Sequence, residues 1–199
     1  MTDSLIVATH NAHKTGEMRA ILGDLFSSIE DLTSIPGLVP PEENGSTFAE
    51  NSAIKSLAAS QERPESLILA DDSGLEVDAL DGAPGIYSSR FAGVDASDSD
   101  NREKLLADLE GIPAPRAARF RCVVTIARNG ELLATFDGTV EGQIATSMSG
   151  EGGFGYDPLF LPHGYEQSFG VLPESVKNGM SHRGRALDQF RAWWKAQES

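Results

Sequence analysis

The chain has 199 residues, of which 40% are hydrophobic and 23% are charged, and a formal net charge of −14. These values are ordinary for one globular domain, and no apolar run reaches the roughly 18 residues that a transmembrane helix requires. The negative charge argues against nonspecific nucleic-acid binding and against binding to an anionic membrane, because both require basic surface. Cys122 is the only cysteine. A single thiol and an N-terminus without a signal-peptide pattern predict a cytoplasmic protein.

The first half of the chain predicts two buried strands and two helices. Residues 5–8 and 67–70 are short apolar runs of the kind that form buried strands. Apolar residues recur with helical spacing after the first run and predict a helix with one buried face. That face comprises Met18, Ile21, Leu22 and Leu25. Residues 35–45 are rich in proline and glycine and predict a loop. Thr47 and Glu50 then have the spacing of a helix capping box. The apolar face of that second helix comprises Ala53, Ile54, Leu57 and Ala58.

The second half predicts two helices and a β-hairpin. Residues 97–110 form the first helix, with an inner stripe of Leu105, Leu106 and Leu109. Residues 120–127 and 132–140 are strand-like, and Asn129-Gly130 between them is typical of a tight hairpin. The last helix begins near Ser181 and buries Leu187, Phe190 and one or both of Trp193 and Trp194. The combination of βα units with a hairpin predicts an α/β fold with a mixed, twisted sheet.

The turn between the first strand and the first helix is the first candidate site. It carries the pattern Thr9-x-Asn11-x-x-Lys14. Free backbone N–H groups at a helix start can bind an anion, which would also compensate the lysine at the positive end of the helix dipole. Alternatively, Asn11 caps the helix and Lys14 is a solvated surface residue. The pattern lacks the glycines of a P-loop or a dinucleotide fingerprint.

Two acidic segments are candidates for a metal site. Asp71 and Asp72 follow the second apolar run, and Mg²⁺ prefers one or two carboxylates together with substrate phosphates. Side chains alternate along a strand, so both aspartates converge only if the chain turns near Gly74. An ordinary Asx turn is the alternative. Glu43, in the predicted loop, either completes the metal site or is solvated, and Lys55 on the following helix either reaches phosphate or is exposed.

Two later segments are candidates for nucleotide contacts. The glycine-rich residues 150–158 contain Phe154 and Tyr156, and an aromatic ring on such a loop can stack on a base. A packed turn between strands is the alternative. His182 and Arg183 lie at the start of the last helix, where cationic groups oppose the dipole unless an anionic or carbonyl partner is present. A simple cap by Ser181 is the alternative there. The sequence contains no zinc-ligand spacing and no G-x-S-x-G elbow, and Cys122 is predicted to be a buried structural thiol.

Six segments in this order resemble the inosine triphosphate pyrophosphatase family, whose enzymes remove deaminated purine nucleotides. The resemblance spans nearly the whole chain. The segments are Thr9-His10-Asn11-Ala12-His13-Lys14, Thr47-Phe48-x-Glu50-Asn51-x-x-x-Lys55, Ala70-Asp71-Asp72-Ser73-Gly74-Leu75, Gly82-Ala83-Pro84-Gly85-Ile86-Tyr87-Ser88-x-Arg90, Gly153-Phe154-Gly155-Tyr156-Asp157-Pro158 and Ser181-His182-Arg183-Gly184.

The resemblance implies Mg²⁺-dependent hydrolysis of ITP, dITP and XTP between the α- and β-phosphates, to a monophosphate and pyrophosphate. It implies metal ligation by Glu43 and Asp72, and catalysis by Asp72, Lys14 and Asp71. The implied nucleotide contacts are Thr9, His10, Asn11, Ala12, His13, Lys14, Lys55, Ser73, Phe154, Gly155, Tyr156, Asp157, Lys177, His182 and Arg183. It also implies an elongated α/β fold, with a sheet flanked by helices, in which residues 1–199 form a single domain with two lobes and a central substrate cleft. A homodimer with no nucleic-acid or membrane partner is expected.

Two positions depart from the family pattern. His10 stands where members often have glycine, so its side chain either crowds the phosphate turn or adds a donor to it. Val176 precedes Lys177 where an acidic residue is common.

Hypoxanthine and xanthine present O6 as an acceptor, so buried donors would disfavour adenine. His182, Arg183 and the backbone near Phe154 are the residues expected to recognise the base. Two other interpretations stay open, namely an enzyme for a modified pyrimidine triphosphate and a catalytically silent nucleotide-binding protein.

Overall fold

The computed structural model describes residues 4–35 and 37–197. The strands are β1 (Ser4–Val7), β2 (Ser28–Asp31), β3 (Leu67–Val77), β4 (Ala117–Arg128), β5 (Glu131–Ile144) and β6 (Phe160–Pro162). The helices are α1 (Ala12–Leu22), α2 (Phe48–Glu62), α3 (Asp98–Asp108), α4 (Glu174–Met180) and α5 (His182–Gln197), with two 3-10 turns at Asp78–Leu80 and Gly85–Arg90. None of the helices in these ranges is both long and apolar enough to cross a bilayer.

The six strands form one sheet in the order β2-β1-β3-β4-β5-β6. Strand β1 pairs in parallel with both β2 and β3, and β5 pairs antiparallel with β6. The parallel pairs follow from the βα units at the start of the chain, because a helix between two strands returns the chain in the same direction. The predicted mixed α/β sheet is therefore confirmed.

The chain forms two compact units. Unit 1 comprises the residues up to 72, residues 122–138 and the residues from 183 onward, whereas unit 2 comprises residues 73–121 and 139–182. Each unit has a hydrophobic core of its own. In unit 1, α5 buries Leu187 and Phe190 completely, Trp194 is buried with them, and Trp193 packs at the edge. In unit 2, Leu105 and Leu109 of α3 pack with Phe120, Phe160 and Phe169.

The buried face of α2 differs from the predicted one. The predicted residues Ala53, Ile54, Leu57 and Ala58 are only partly buried. The buried residues of α2 are instead Phe48, Asn51, Ala59 and the three serines Ser52, Ser56 and Ser60. The hydroxyls of Ser52 and Ser56 lie 2.8 Å and 2.9 Å from Thr125 Oγ1 on β4. These hydrogen bonds satisfy the buried hydroxyl groups, and the small side chains let the helix approach the sheet closely.

The first helix also differs in part from its predicted face. Helix α1 ends at Leu22, so Leu25 lies beyond it, and both Ile21 and Leu25 are only partly buried. Met18 and Leu22 are fully buried as predicted. Glu17 is also buried, although it is charged. Hydrophobic spacing alone cannot assign a carboxylate to the inside of a helix, because such a residue is buried only when a partner compensates its charge.

Candidate functional site

A buried network of charges in unit 1 connects β3, α1 and α5. Asp71 accepts hydrogen bonds from Lys14 Nζ at 3.2 Å and from Arg183 Nη2 at 2.9 Å. The other guanidinium nitrogen, Arg183 Nη1, donates to Glu17 Oε2 at 2.5 Å. Arg183 is 1% exposed and Asp71 is 2% exposed. Four charged groups, two of each sign, therefore compensate one another away from water. Pairing of this kind is what makes buried charges tolerable.

The turn before α1 is built by the side chains of Thr9 and Asn11. Asn11 Oδ1 accepts from the backbone N–H groups of His13 and Lys14 at 3.0 Å and 3.2 Å, so Asn11 is the helix cap. Thr9 Oγ1 accepts from the Asn11 N–H group. His10, Asn11, Ala12 and His13 are exposed and Lys14 is partly buried. The alternative of a capping Asn11 is thus confirmed, whereas the alternative of a fully solvated Lys14 is wrong, because its ammonium group is paired with Asp71.

Lys55 joins the two predicted metal ligands. Its Nζ lies 3.1 Å from Glu43 Oε2 and 3.5 Å from Asp72 Oδ1. The Lys55 side chain is 12% exposed, so the alternative of an ordinary surface lysine is wrong. The same ammonium group contacts both carboxylates, which brings the loop residue Glu43 and the strand residue Asp72 to one place. From the sequence alone, Glu43 was either a metal ligand or a solvated residue, and Asp72 was either a metal ligand or part of an Asx turn.

Helix α2 fixes the loop that carries Glu43. Asn51 Oδ1 accepts from Gly45 N at 2.9 Å, and Glu50 Oε2 accepts from both Ser46 N and Ser46 Oγ. A side chain at Gly45 would lie 2.7 Å from Asn51 Oδ1, so only glycine fits there. Thr47 Oγ1 accepts from Glu50 N, which confirms the predicted cap of α2. The first turn of α2 therefore holds the chain just after Glu43.

Asp71 and Asp72 lie inside β3, which continues to Val77. The predicted end of this strand at residue 70, with a turn near Gly74 that makes both aspartates converge, is wrong. The two carboxylates instead have different partners: Asp71 has Lys14 and Arg183, and Asp72 has Lys55. The alternation of side chains along an extended strand accounts for this division.

The two neighbouring carboxylates also differ in pKa. Burial raises the pKa of Asp71, but Lys14 and Arg183 outweigh burial and hold that pKa far below its usual value. Burial is also the largest effect on Asp72, and there it raises the pKa above the usual value in spite of Lys55. Environments that separate the pKa values of paired carboxylates allow the two groups to take different roles. Asp71 is suited to remain a fixed negative charge, and Asp72 is the better proton acceptor.

Cys122 lies beside this network and is fully buried. Its thiol is 3.8 Å from Asp71 Oδ2, and burial raises the pKa of the thiol. A thiol with a raised pKa is a weak nucleophile. The prediction of a structural thiol is confirmed by this burial.

A second group of predicted residues lies in unit 2. Lys177 Nζ donates to Asp157 Oδ2 at 2.6 Å, and Lys177 is 3% exposed. The same Nζ lies 5.0 Å from the centroid of the Phe154 ring, a cation–π distance. Asp157 Oδ2 also accepts from Phe154 N, so the segment from Phe154 to Asp157 closes on itself. Phe154 is partly buried, and Gly153 and Gly155 on either side have positive φ angles.

The remaining predicted residues of unit 2 are positioned by packing. Tyr156 is 4% exposed and belongs to the core, and its hydroxyl donates to Ser88 O at 2.8 Å. An interpretation of Tyr156 as an open stacking face is therefore wrong, because the ring is enclosed. His182 is 5% exposed and stacks on Phe120 with ring centroids 4.8 Å apart. Ser73 is partly buried at the middle of β3.

Three charged residues that shape these groups were not predicted from the sequence. Glu17 pairs with Arg183 in unit 1. In unit 2, Arg102 Nη1 donates to Gly155 O, and Gly155 N donates to Asp98 Oδ2. Glu17 lies three residues after Lys14 and so faces the same side of α1, which is a signal that the sequence did contain. Nothing in the sequence pairs α3 with residue 155, because the two are more than fifty positions apart.

The residues of unit 1 fit a divalent cation. Within residues 4–35 and 37–197, no three His, Cys, Asp or Glu side chains group together in a way that could hold a metal. Mg²⁺, however, is commonly held by one or two carboxylates and completes its shell with water and substrate phosphates. Asp72 Oδ2 is buried and has no hydrogen-bond partner among those residues. A buried carboxylate oxygen without a partner, on a residue that shares Lys55 with Glu43, has the chemistry of a ligand for a cation such as Mg²⁺.

Comparison with known proteins gave consistent matches across the chain. The model of the Ham1 family matches residues 5–193. A dITP/XTP pyrophosphatase of Desulforamulus reducens is 49% identical over 184 residues, which cover 92% of this chain and 91% of that protein. One of Exiguobacterium sibiricum is 50% identical over 190 residues, which cover 94% of this chain and 95% of that protein. The solved structure of a HAM1 protein from Coxiella burnetii has a TM-score of 0.87 at 37% identity, covering 98% of this chain and 99% of that one.

Proposed function

Because this chain belongs to the Ham1 family, we propose that it hydrolyses the deaminated purine triphosphates ITP, dITP and XTP to a monophosphate and pyrophosphate. The substrate class comes from the relatives that are named dITP/XTP pyrophosphatases and cover nine-tenths or more of the chain. Removal of such nucleotides from the nucleotide pool is the physiological role that this activity would serve.

One observation supports the hydrolytic site most strongly. Asp72 carries a buried oxygen without a hydrogen-bond partner in the part of the chain that the structure describes, and its other oxygen lies 3.5 Å from Lys55 Nζ, which also contacts Glu43. An unsatisfied buried carboxylate oxygen costs free energy, so a protein retains it where a ligand satisfies it. We assign Asp72 as the proton acceptor and, with Glu43, as a ligand of Mg²⁺.

The other residues of unit 1 have supporting roles in this proposal. Lys14 and Lys55 supply fixed positive charge toward the triphosphate, and their largely buried positions strengthen that charge by limiting the access of water. Asp71 holds Lys14 in place, and the exposed residues from His10 to His13 are available to phosphate oxygens. A bound Mg²⁺ would neutralise charge on the phosphates during transfer.

The residues of unit 2 are assigned to the nucleoside. Phe154, partly exposed, offers a ring face to a base, and Lys177 and Asp157 fix the segment that carries it. Donors aimed at O6 would favour hypoxanthine and xanthine over adenine, because adenine would leave those donors unpaired. His182 and Arg183 remain proposed readers of the base, although both are enclosed and engaged by protein groups.

Two further parts of the proposal concern the state of the protein. A homodimer is expected from the family resemblance, and sedimentation analysis tests it. A cytoplasmic setting is expected because Cys122 is the only thiol and a reducing compartment leaves it free.

The Asp72→Asn variant tests the assigned role of Asp72. Asparagine keeps the shape of the side chain but neither accepts a proton efficiently nor offers a charged ligand. We expect kcat for ITP to fall at least about 100-fold, which is the lower range for loss of a general base. Asp108→Asn, on the exposed end of α3, is the matched control and retains full activity. Wild-type turnover in a folded Asp72→Asn protein would contradict the assignment of Asp72 as proton acceptor and metal ligand.

A further inference from the structure

Both backbone groups of Gly155 are held by side chains of α3. Arg102 Nη1 donates to Gly155 O at 2.7 Å, and Gly155 N donates to Asp98 Oδ2 at 2.7 Å. Asp98 and Arg102 are four residues apart and therefore lie on the same face of the helix. Each hydrogen bond has one charged partner, and such bonds are stronger than neutral ones. We call these two contacts the Gly155 clamp.

The helix that carries the clamp is itself firmly held. Ser97 and Asp100 form a capping box at its start. Asn101, which is 2% exposed, donates to Ser89 O at 3.2 Å and accepts from Ala92 N at 2.8 Å. The first turn of α3 is thereby fixed to residues 89–92 of the same unit. A rigid support of this kind can define the position of a loop that it contacts.

Gly155 occupies the centre of the segment that carries the proposed base contact. Its φ angle of +57° lies in a region that side chains other than glycine rarely adopt. Phe154 precedes it directly, and the bond from Phe154 N to Asp157 Oδ2 spans it. The orientation of the Gly155 peptide groups therefore contributes, together with the Lys177–Asp157 pair, to the position of the Phe154–Asp157 segment.

We propose that Asp98 and Arg102 are positioning residues that set the affinity for the purine base through the Gly155 clamp. This inference rests on the proposed function, because it takes Phe154 and Asp157 as the nucleoside contacts. Neither residue needs to touch the substrate. Loss of the clamp removes one restraint on the Phe154–Asp157 segment and leaves the Lys177–Asp157 pair in place, so the segment becomes less ordered and its ordering at each binding event weakens binding.

The test separates the base from the phosphates. KM and kcat for ITP are measured for Asp98→Ala and Arg102→Ala, together with Ki for inorganic pyrophosphate, which has no base. We expect KM for ITP to rise about tenfold, the effect of losing one charge-assisted hydrogen bond, while Ki for pyrophosphate stays within about twofold. Asp98→Asn keeps an acceptor oxygen and is expected to restore KM, and Arg102→Lys, which keeps a donor, is expected to restore it in part.

The controls distinguish the possible failures. Lys104→Ala lies on the same helix, where Lys104 pairs with Asp108 at the surface, and it should leave KM and Ki unchanged. Thermal melts identify any alanine variant that does not fold. In that case Asp98→Asn or Arg102→Lys is measured in place of that alanine variant. An unchanged KM for ITP, or equal changes in KM and in Ki for pyrophosphate, would overturn the proposed role of the Gly155 clamp and leave the proposed function standing. A wild-type protein without ITP turnover would instead overturn the proposed function.

Discussion

At the scale of single residues, Arg183 is the most constrained charge in unit 1. It lies between Asp71 and Glu17, and both of these carboxylates are also buried. The guanidinium is planar and offers several donors, so it can serve two carboxylates at once, which a lysine cannot do with the same geometry. The pKa of Arg183 is raised, since the favourable effect of Asp71 and Glu17 outweighs the effect of burial.

We expect Arg183→Met to destabilise the protein by about 3–5 kcal/mol, because it leaves buried carboxylates without their partner. Arg191→Met is the matched control on the same helix, since Arg191 pairs with Asp24 near the surface. That control should cost less than about 1 kcal/mol, the usual value for an exposed pair. Urea denaturation of both variants measures the free energies of unfolding. Equal losses of unfolding free energy in the two variants would show that the buried Arg183 network stabilises the protein no more than an exposed ion pair does.

The candidate site residues also show how much of the site could be predicted from the sequence. Six motifs in order identified the family, the resemblance to that family implied roles for Asp72, Glu43 and Lys55, and the structure brings these three residues together. Local spacing alone could not have done so, because Glu43 and Asp72 lie on a loop and a strand far apart in the chain. Glu17 was missed because its partner Arg183 lies 166 positions away, although its spacing from Lys14 places it on the same side of α1.

At the scale of elements, the fold was predicted best where hydrophobic patterns were long. Helices α3 and α5 and the hairpin of β4 and β5 were found within a few residues of their actual bounds. The short strands β2 and β6 were not predicted, because β2 contains a single apolar residue and β6 has only three residues, whereas the equally short β1 contains an apolar run. Strand β3 was predicted too short, because Asp71 and Asp72 resemble a turn unless their buried cationic partners are known.

Helix α2 gives the clearest test at this scale, because three of its six buried residues are serines. Ser56 is fully buried beneath β4, and its hydroxyl contacts Thr125. Ser56→Leu should therefore destabilise the protein by about 1–3 kcal/mol through overpacking, even though leucine is the better helix former.

The matched control for this substitution is Ser99→Leu in the exposed first turn of α3. A surface change of this kind is expected to stay within about 0.5 kcal/mol. Thermal denaturation compares the two variants. A Ser56→Leu protein as stable as the wild type would mean that the apolar face predicted from the sequence, and not the serine face, packs on the sheet.

At the scale of the whole molecule, the proposed roles fall on two compact units. Unit 1 holds the carboxylates and lysines assigned to metal and phosphate, and unit 2 holds the aromatic and ion-paired segment assigned to the base. Each unit has its own core, so the residues assigned to each part of the substrate are supported by separate packing. The sequence predicted one domain of residues 1–199 with two lobes, and that organisation stays a prediction.

The most direct test of the central claim is the release of pyrophosphate from ITP, XTP, dITP, GTP and ATP by the purified protein, with Mg²⁺ and with EDTA. We expect kcat/KM for ITP, XTP and dITP to exceed the value for ATP by about 100-fold or more, since adenine leaves buried donors unpaired. We also expect EDTA to abolish turnover. Equal turnover of all five nucleotides would contradict the proposed activity on deaminated purines.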